Sequence, residues 1–307
     1  MKHFPKYLLA LGLIPVLLGF LGRWNWVFDA FSHFRLYYVI YFAAIAVLLL
    51  VAKKWKSGFV ALFLGAMLFY SSIKNLGPVP LSYYEEGIKI ASINLLSSND
   101  NYKEVGTFIR RGKFDVLVFQ EFTPDWMEYL KDFEEDFPFM ELDPSSGVFG
   151  MGVYSKFEID SSIIIHSKSG NTFAKLVEIH GNGKELSIMN IHPPPPVSKE
   201  LFDTRNAMFS AANDFLKSYD KPYVLIGDFN STTFSPNFKR LTSELEVRDS
   251  RKDFGLLPTW NTYWSLISIT IDHALVSNGL DVMHRRVGPN IGSDHLPVII
   301  EVIGRDW

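Results

Sequence analysis

The chain contains no cysteine. That excludes a disulfide-stapled scaffold, a thiol nucleophile and a cysteine-ligated zinc site. It also leaves no thiol to misoxidise, so either side of a membrane is open to it. Charge is sparse: 21% of residues are charged and 48% are hydrophobic, which excludes a disordered chain. Over residues 77–307 Lys and Arg form no dense stretch; basic pairs such as Arg110-Arg111, Lys239-Arg240 and Arg285-Arg286 are scattered. No internal repeat is visible, and the low-complexity content is confined to Pro193–Pro196.

What charge there is divides unevenly. Residues 1–76 hold 8 Lys/Arg and 1 Asp, a net +7, whereas residues 77–307 hold 22 Lys/Arg and 32 Asp/Glu, a net −10. The basic front carries three apolar runs, Tyr7–Gly22, Leu36–Ala52 and Ser57–Ile73, each of 16 or 17 residues. These lie at the short end for a membrane-spanning helix. Trp24, Trp26, Tyr37, Tyr38, Trp55 and Tyr70 flank or end them, where aromatic residues favour the membrane interface. Met1–Lys6 has the basic lead of a signal peptide. No small-x-small cleavage pattern follows it, however, and two more runs do. The expectation is a membrane domain of three transmembrane helices over residues 1–76. A Pro/Gly linker at 77–87 and a globular domain at 88–307 complete the chain. Lys2, Lys6, Lys53, Lys54 and Lys56 place the N-terminus and the second connection inside. The protein is then multi-pass in the cell membrane, with its globular domain outside the cytoplasm.

The globular part alternates short apolar strands with helices. Strands are expected at Ile88–Asn94, Phe114–Gln120, Met151–Ser155, Ile159–His166, Ala174–His180, Glu185–Ile191, Tyr223–Gly227, Thr270–Ser277 and Leu296–Val302. Gly181-Asn182-Gly183 reads as a hairpin turn. Helices are expected at Tyr102–Arg111, Lys199–Ser218 and Ser235–Leu245, and another opens at Thr123-Pro124 with Thr as N-cap. The aromatic stretch Asp125–Met140 reads as an amphipathic helix packed on the domain in preference to one resting on a membrane. Many strands with few, local helices point to an α+β sandwich of two face-to-face sheets with helices outside.

Polar residues gather just beyond these strands. Asn94 follows KIASI, Glu121 follows FDVLVFQ, His192 follows LSIMNI, and Asp228 and Asn230 follow YVLIG. Asp272 follows SITI, and Asp294 and His295 precede LPVII. Strand ends meet at one rim of a sandwich, so residues scattered along the chain can converge there. Carboxylates, amides and imidazoles without cysteine suit Mg²⁺ or Mn²⁺.

The set INL at Ile93–Leu95, QE at Gln120–Glu121, GMGVYSK at Gly150–Lys156, NIH at Asn190–His192, GDFN at Gly227–Asn230, IDHALVS at Ile271–Ser277 and GSDHLPV at Gly292–Val298 resembles the endonuclease/exonuclease/phosphatase superfamily. This is the deoxyribonuclease I-like group, which includes sphingomyelinases and inositol-polyphosphate phosphatases. The resemblance spans roughly residues 88–303 and implies a four-layer α/β/β/α sandwich. Three spans before such a domain, together with the HPPPP loop and Pro258–Trp260, look most like the membrane-anchored subgroup that includes glycopeptide-resistance phosphatases. Carried over by motif, Glu121 binds the divalent metal, with Asn94 beside it and Asp294 as a further ligand or electrostatic partner. Asp228 orients or deprotonates the attacking water, and Asn230 hydrogen-bonds the phosphate. His295, oriented by a carboxylate, contacts the phosphate or moves a proton. His192 contacts phosphate, with Asp272 as the carboxylate paired to it. His273 supports the site without acting in it.

The implied activity is metal-dependent phosphoester hydrolysis on a membrane lipid or lipid-linked phosphate, such as a polyprenyl pyrophosphate, at the outer face. A phospholipid or sphingolipid phosphodiesterase is the alternative. Nucleic acid is disfavoured by the −10 domain, because duplex binding relies on neutralising phosphates.

Overall fold

The computed structural model describes residues 3–73, 87–167, 173–181, 183–305 and 307. Four helices come first: α1 (Phe4–Phe20), α2 (Trp26–His33), α3 (Arg35–Val51) and α4 (Trp55–Ile73). Among the described residues, α4 is long and apolar enough to cross a membrane. The pair α2 and α3 passes the same test only jointly, bent by 62° at its break. Helices α1 and α3 have 17 residues each, about 25 Å at 1.5 Å per residue, short of a ~30 Å hydrocarbon core. Three independent spans are therefore not what the helices show. The 77–87 linker falls outside the described residues, apart from Gly87.

Small residues let these helices close on one another, as in helix packing within lipid. A Cβ on Gly58 would meet the Leu50 side chain, and one on Gly12 would meet the rings of Tyr41 and Phe42. Phe42, Ala46, Ala61 and Leu68 form the buried seam between α3 and α4.

The rest of the chain folds into two six-stranded sheets. The first runs β11 (Leu280–Val287), β12 (Val298–Gly304), β1 (Ile88–Asn94), β2 (Val116–Gln120), β4 (Met151–Ser155), β3 (Phe139–Asp143). The second runs β5 (Glu158–His166), β6 (Phe173–Gly181), β7 (Lys184–Ile191), β8 (Tyr223–Asp228), β10 (Asp272–Val276), β9 (Arg248–Asp249). One parallel pair sits at the centre of each sheet, β1 with β2 and β7 with β8. Each parallel pair is joined by a helix, α5 (Tyr102–Gly112) or α7 (Lys199–Leu216), because a parallel return needs a crossover. All other pairs are antiparallel. The two sheets thus repeat one topology that the sequence does not repeat.

Strand alternation builds three hydrophobic layers. Ile88, Ile90, Val118, Ile188, Val224, Ile226 and Val298 face the space between the sheets. Ala91, Ile93 and Phe119 point outward beneath α5 and α6 (Pro124–Leu130). Met189, Leu225 and Leu275 do the same beneath α7 and α8 (Pro236–Leu245). The four-layer expectation holds in this arrangement. Trp126, Leu130, Phe133 and Phe137 are buried in the outer layer, so the Asp125–Met140 stretch packs on the sandwich. The Thr123 cap forms as expected, its Oγ1 accepting from Trp126 N. Strands β3, β9 and β11 and helix α2 were not expected from the sequence. The 181–183 hairpin closes between β6 and β7 with Gly183 at φ 74°; Asn182 lies outside the described residues.

Helix α2 joins the two parts. It is capped by Asn25, whose Oδ1 accepts from Val27 N. Asp29, the only acidic residue of the first 76, is fully buried and accepts from Arg205 Nη1 of α7 at 2.8 Å and from Ser235 Oγ at 2.7 Å. His33 Nδ1 lies 3.0 Å from Thr232 Oγ1, and Tyr37 Oη donates to Ser268 O at 2.8 Å. Arg205 is itself fully buried. Removing one partner of such a pair leaves an uncompensated buried charge. Arg205→Ala is expected to cost about 3–5 kcal/mol, seen as a lowered melting temperature in detergent. Replacing both members, Asp29→Leu with Arg205→Met, is expected to recover most of that loss.

Candidate active site

Parallel strands point their C-terminal ends the same way, and antiparallel neighbours begin there. Asn94 ends β1 and Asp228 ends β8; Asp272 opens β10 directly opposite Asp228. His192 follows β7, and His295 lies just before β12. The predicted site residues therefore share one rim where the two sheets meet.

Asp228 is the focus. Its backbone approach depends on Gly227, at φ 142°, where a Cβ would collide with Ile191 O. Asn230 N donates to Asp228 Oδ1 at 2.8 Å. Asn94 Nδ2 and Asn230 Nδ2 each donate to Asp228 Oδ2 at 3.2 Å. His192 Nε2 and His295 Nε2 stand 3.6 and 3.7 Å from the same oxygen. Burial opposes ionisation of Asp228, but His295 and His192 outweigh it and hold the carboxyl below its usual range.

His295 Nδ1 sits 2.9 Å from Asp272 Oδ2. Burial disfavours its charged form, yet Asp272 and Asp228 together raise its pKa to about 10. Asp272 is pushed upward by its own burial and by the charge of Asp228, against the pull of His295. The expected pairing of Asp272 with His192 is thus corrected. Asp272 faces Asp228 across the β8–β10 ladder, within reach of the loop before β12, so it holds His295, while the carboxylate beside His192 is Asp228.

The three residues assigned to a metal are less tightly gathered. Asn94 touches Asp228 directly. Asp294 Oδ2 accepts from Trp260 Nε1 at 2.9 Å, and its Oδ1 is buried without a hydrogen-bond partner, 3.9 Å from His295 Nε2. Glu121 follows β2, where Gln120 pairs with Asn94, and its Oε2 accepts from Ser97 N at 2.8 Å. It adopts φ 54°, an unusual conformation for a residue with a Cβ that is common at functional positions. These oxygen donors, one of them orphaned, fit a hard divalent cation. Asp228, Asp272 and His295 also lie close enough to hold an ion. Within that cluster His295 Nδ1 is already engaged by Asp272.

Several supporting residues were not singled out in the sequence. Thr259 is buried, and its Oγ1 accepts from Ile271 N and Asp272 N, fixing the start of β10. Ser293 Oγ donates to Asn94 O and accepts from His295 N, tying the end of β1 to the loop before β12. Asn190 Oδ1 accepts from Gln120 Nε2 across the sandwich. Their motifs, PTW, SDH and NIH, were the available signal; partners far apart in sequence were not.

With the geometry in view, the chain is an α+β sandwich carrying a buried carboxylate–imidazole site at one rim. A family model described as the endonuclease/exonuclease/phosphatase family matches residues 91–295, and the protein belongs to that family. No curated protein matches it in sequence. Among solved structures, D. rerio TDP2 complexed with single-strand DNA product aligns at TM-score 0.59 and 15% identity, over 71% of this chain and 100% of that one. The human Nocturnin catalytic domain with bound sulfate aligns at 0.59 and 17%, over 73% and 96%. Sphingomyelinase C from Streptomyces griseocarneus aligns at 0.52 and 15%, over 71% and 99%. At these identities the likeness establishes the fold.

His273 is buried behind the site, its Nε2 2.8 Å from Ser231 O in the loop after GDFN. Burial, with Arg251 nearby, lowers its pKa to about 3. An unfolded histidine takes up a proton near pH 6.5; the folded one does not until about pH 3. Its stabilising contribution is complete above the unfolded value and is lost as pH falls through this window. Urea unfolding at successive pH values is expected to show stability declining below pH ~6.5, with a shallower decline in His273→Gln.

Proposed function

We propose that the protein is a membrane-anchored, divalent-metal-dependent phosphoester hydrolase of lipid-linked phosphate or pyrophosphate, such as a polyprenyl pyrophosphate. The catalytic domain lies at the outer face of the cell membrane. The observation that carries the chemistry is the convergence of His192 and His295 on one oxygen of the buried, ionised Asp228. The observation that favours a membrane substrate is the docking of α2, between apolar helices, onto the loop that follows GDFN.

Asp228, held by Asn230 N–H, is the base that orients a water for in-line attack and accepts its proton. His192 and His295 supply N–H groups to the phosphate oxygens as charge develops on them, and Asn94 and Asn230 add amide donors. Asp272 keeps His295 protonated and fixes its ring through Nδ1, leaving Nε2–H directed at the reacting centre. Asn94, Glu121 and Asp294 are the residues that would hold Mg²⁺ or Mn²⁺, which when bound supplies positive charge to the phosphoryl oxygens.

The test is inorganic phosphate release from a polyprenyl pyrophosphate by the full chain in detergent with Mg²⁺. Release is expected, and EDTA is expected to abolish it. Asp228→Asn and His295→Ala should each lower kcat by about 10²–10⁴-fold. A phosphorylated head group released from a phospholipid or sphingomyelin, with no inorganic phosphate, would instead assign a phosphodiesterase. Salt-sensitive cleavage of DNA would assign a nuclease.

A further inference from the structure

A cleft of about 370 Å³ lies between the apolar helices and the sandwich. This is within the ~300–1,000 Å³ range of small-molecule sites. One wall is built by Leu36, Val39 and Ile40 at the start of α3 and by Phe69 near the end of α4. The other wall is built by loops that lead directly into the active site. Thr232 stands two residues beyond Asn230, and Thr270 stands two residues before Asp272. Pro258 precedes Thr259, which fixes Asp272, and Ile269 bridges to Trp260, which in turn bridges to His295.

The cleft continues into apolar surface on both sides. Ile40 is 64% exposed and Phe69 49%. In the loop after Trp260, Trp264 is 68% and Leu266 91% exposed. Exposed apolar groups this contiguous mark an interaction surface. The helix wall is apolar and suited to lipid, and the facing wall is built by loop residues two positions from Asn230 and from Asp272.

We propose that this cleft holds the hydrocarbon chain of an amphiphilic phosphate substrate, running from the bilayer to the rim where the phosphate is hydrolysed. The assignment rests on the preceding reading that the substrate is lipid-linked. It makes chain length a determinant of specificity and the membrane helices part of the substrate site. Docking through Asp29, His33 and Tyr37 then keeps the two walls in register, since these contacts flank the cleft.

Two measurements on the full chain in detergent test it. The first compares geranylgeranyl pyrophosphate with isopentenyl pyrophosphate, which share a head group and differ in chain. The parent is expected to favour the long chain in kcat/KM. Leu36→Trp and Ile40→Trp, which fill the cleft without touching the acid–base residues, should lower the long-chain value about tenfold. That is the effect of excluding roughly two methylene groups from an apolar site. The short-chain value should be unchanged. Equal parent values for the two substrates would overturn the proposal while leaving the hydrolase reading intact. So would equal loss on both substrates, or no loss on either, in the variants.

The second measurement uses a prenyl phosphate with a diazirine in its chain, photolysed in EDTA so that no turnover is needed. Labelling within residues 36–40 and 256–270 is expected, and labelling elsewhere would overturn the proposal. Labelling there without hydrolysis of either pyrophosphate would keep the cleft and overturn the reaction assigned above.

Discussion

The buried carboxylate of Asp228 is the constraint on which the site depends. A carboxylate withdrawn from water is costly unless it is paired and hydrogen-bonded. Here the compensation comes from both sheets at once. Asn94 and the His295 loop belong to the first sheet; His192 and Asn230 belong to the second. Keeping that oxygen ionised therefore requires the sandwich to be closed in one register. A one-residue slip of β8 would send Asp228 to the opposite face of its strand. The core of β-branched side chains between the sheets resists such a slip, which links ordinary hydrophobic packing to the ionisation state of Asp228.

The same economy governs His295. Its raised pKa follows from two carboxylates outweighing the penalty of burial. Asp272, Thr259 and Ser293 hold those groups in place through backbone and side-chain bonds. On the far side of β10, His273 is kept neutral by burial and by the arginines around it, and it holds the Ser231 carbonyl next to Asn230. Asp272 and His273 are successive positions on β10 and face opposite layers, so the first pairs with His295, whose pKa is raised, while the second is His273 itself, whose pKa is lowered.

A second buried charge pair, Asp29 with Arg205, joins the N-terminal helices to the sandwich. It explains why the sole acidic residue of a basic, apolar segment lies in the connection after α1. Reading that connection as an inter-span loop missed α2, because an eight-residue helix has little periodicity of its own and is stabilised by what it docks against. Its Asn25 cap was the local signal. The count of three spans is not shown by the helices: α4 passes as a span by itself, α2 and α3 only jointly, and α1, at 17 residues, lies at the short end.

The sequence by itself determined the strands that alternate or run apolar, the Thr123 and Ser235 helix starts, and the polar residues that gather at one rim. Those depend on side-chain period and on short motifs such as GDFN and SDH, which are local. Only the tertiary structure decided that Asp272 belongs to His295 and Asp228 to His192, since those pairings are set by which strands adjoin. Only it showed that Thr259 and Ser293 anchor the site, and that the apolar helices and the loops beside Asn230 and Asp272 enclose a common cleft. Each of these is a relation between residues far apart in the chain. Its physical cause lies in strand order and helix docking, which hydrophobic pattern constrains without specifying.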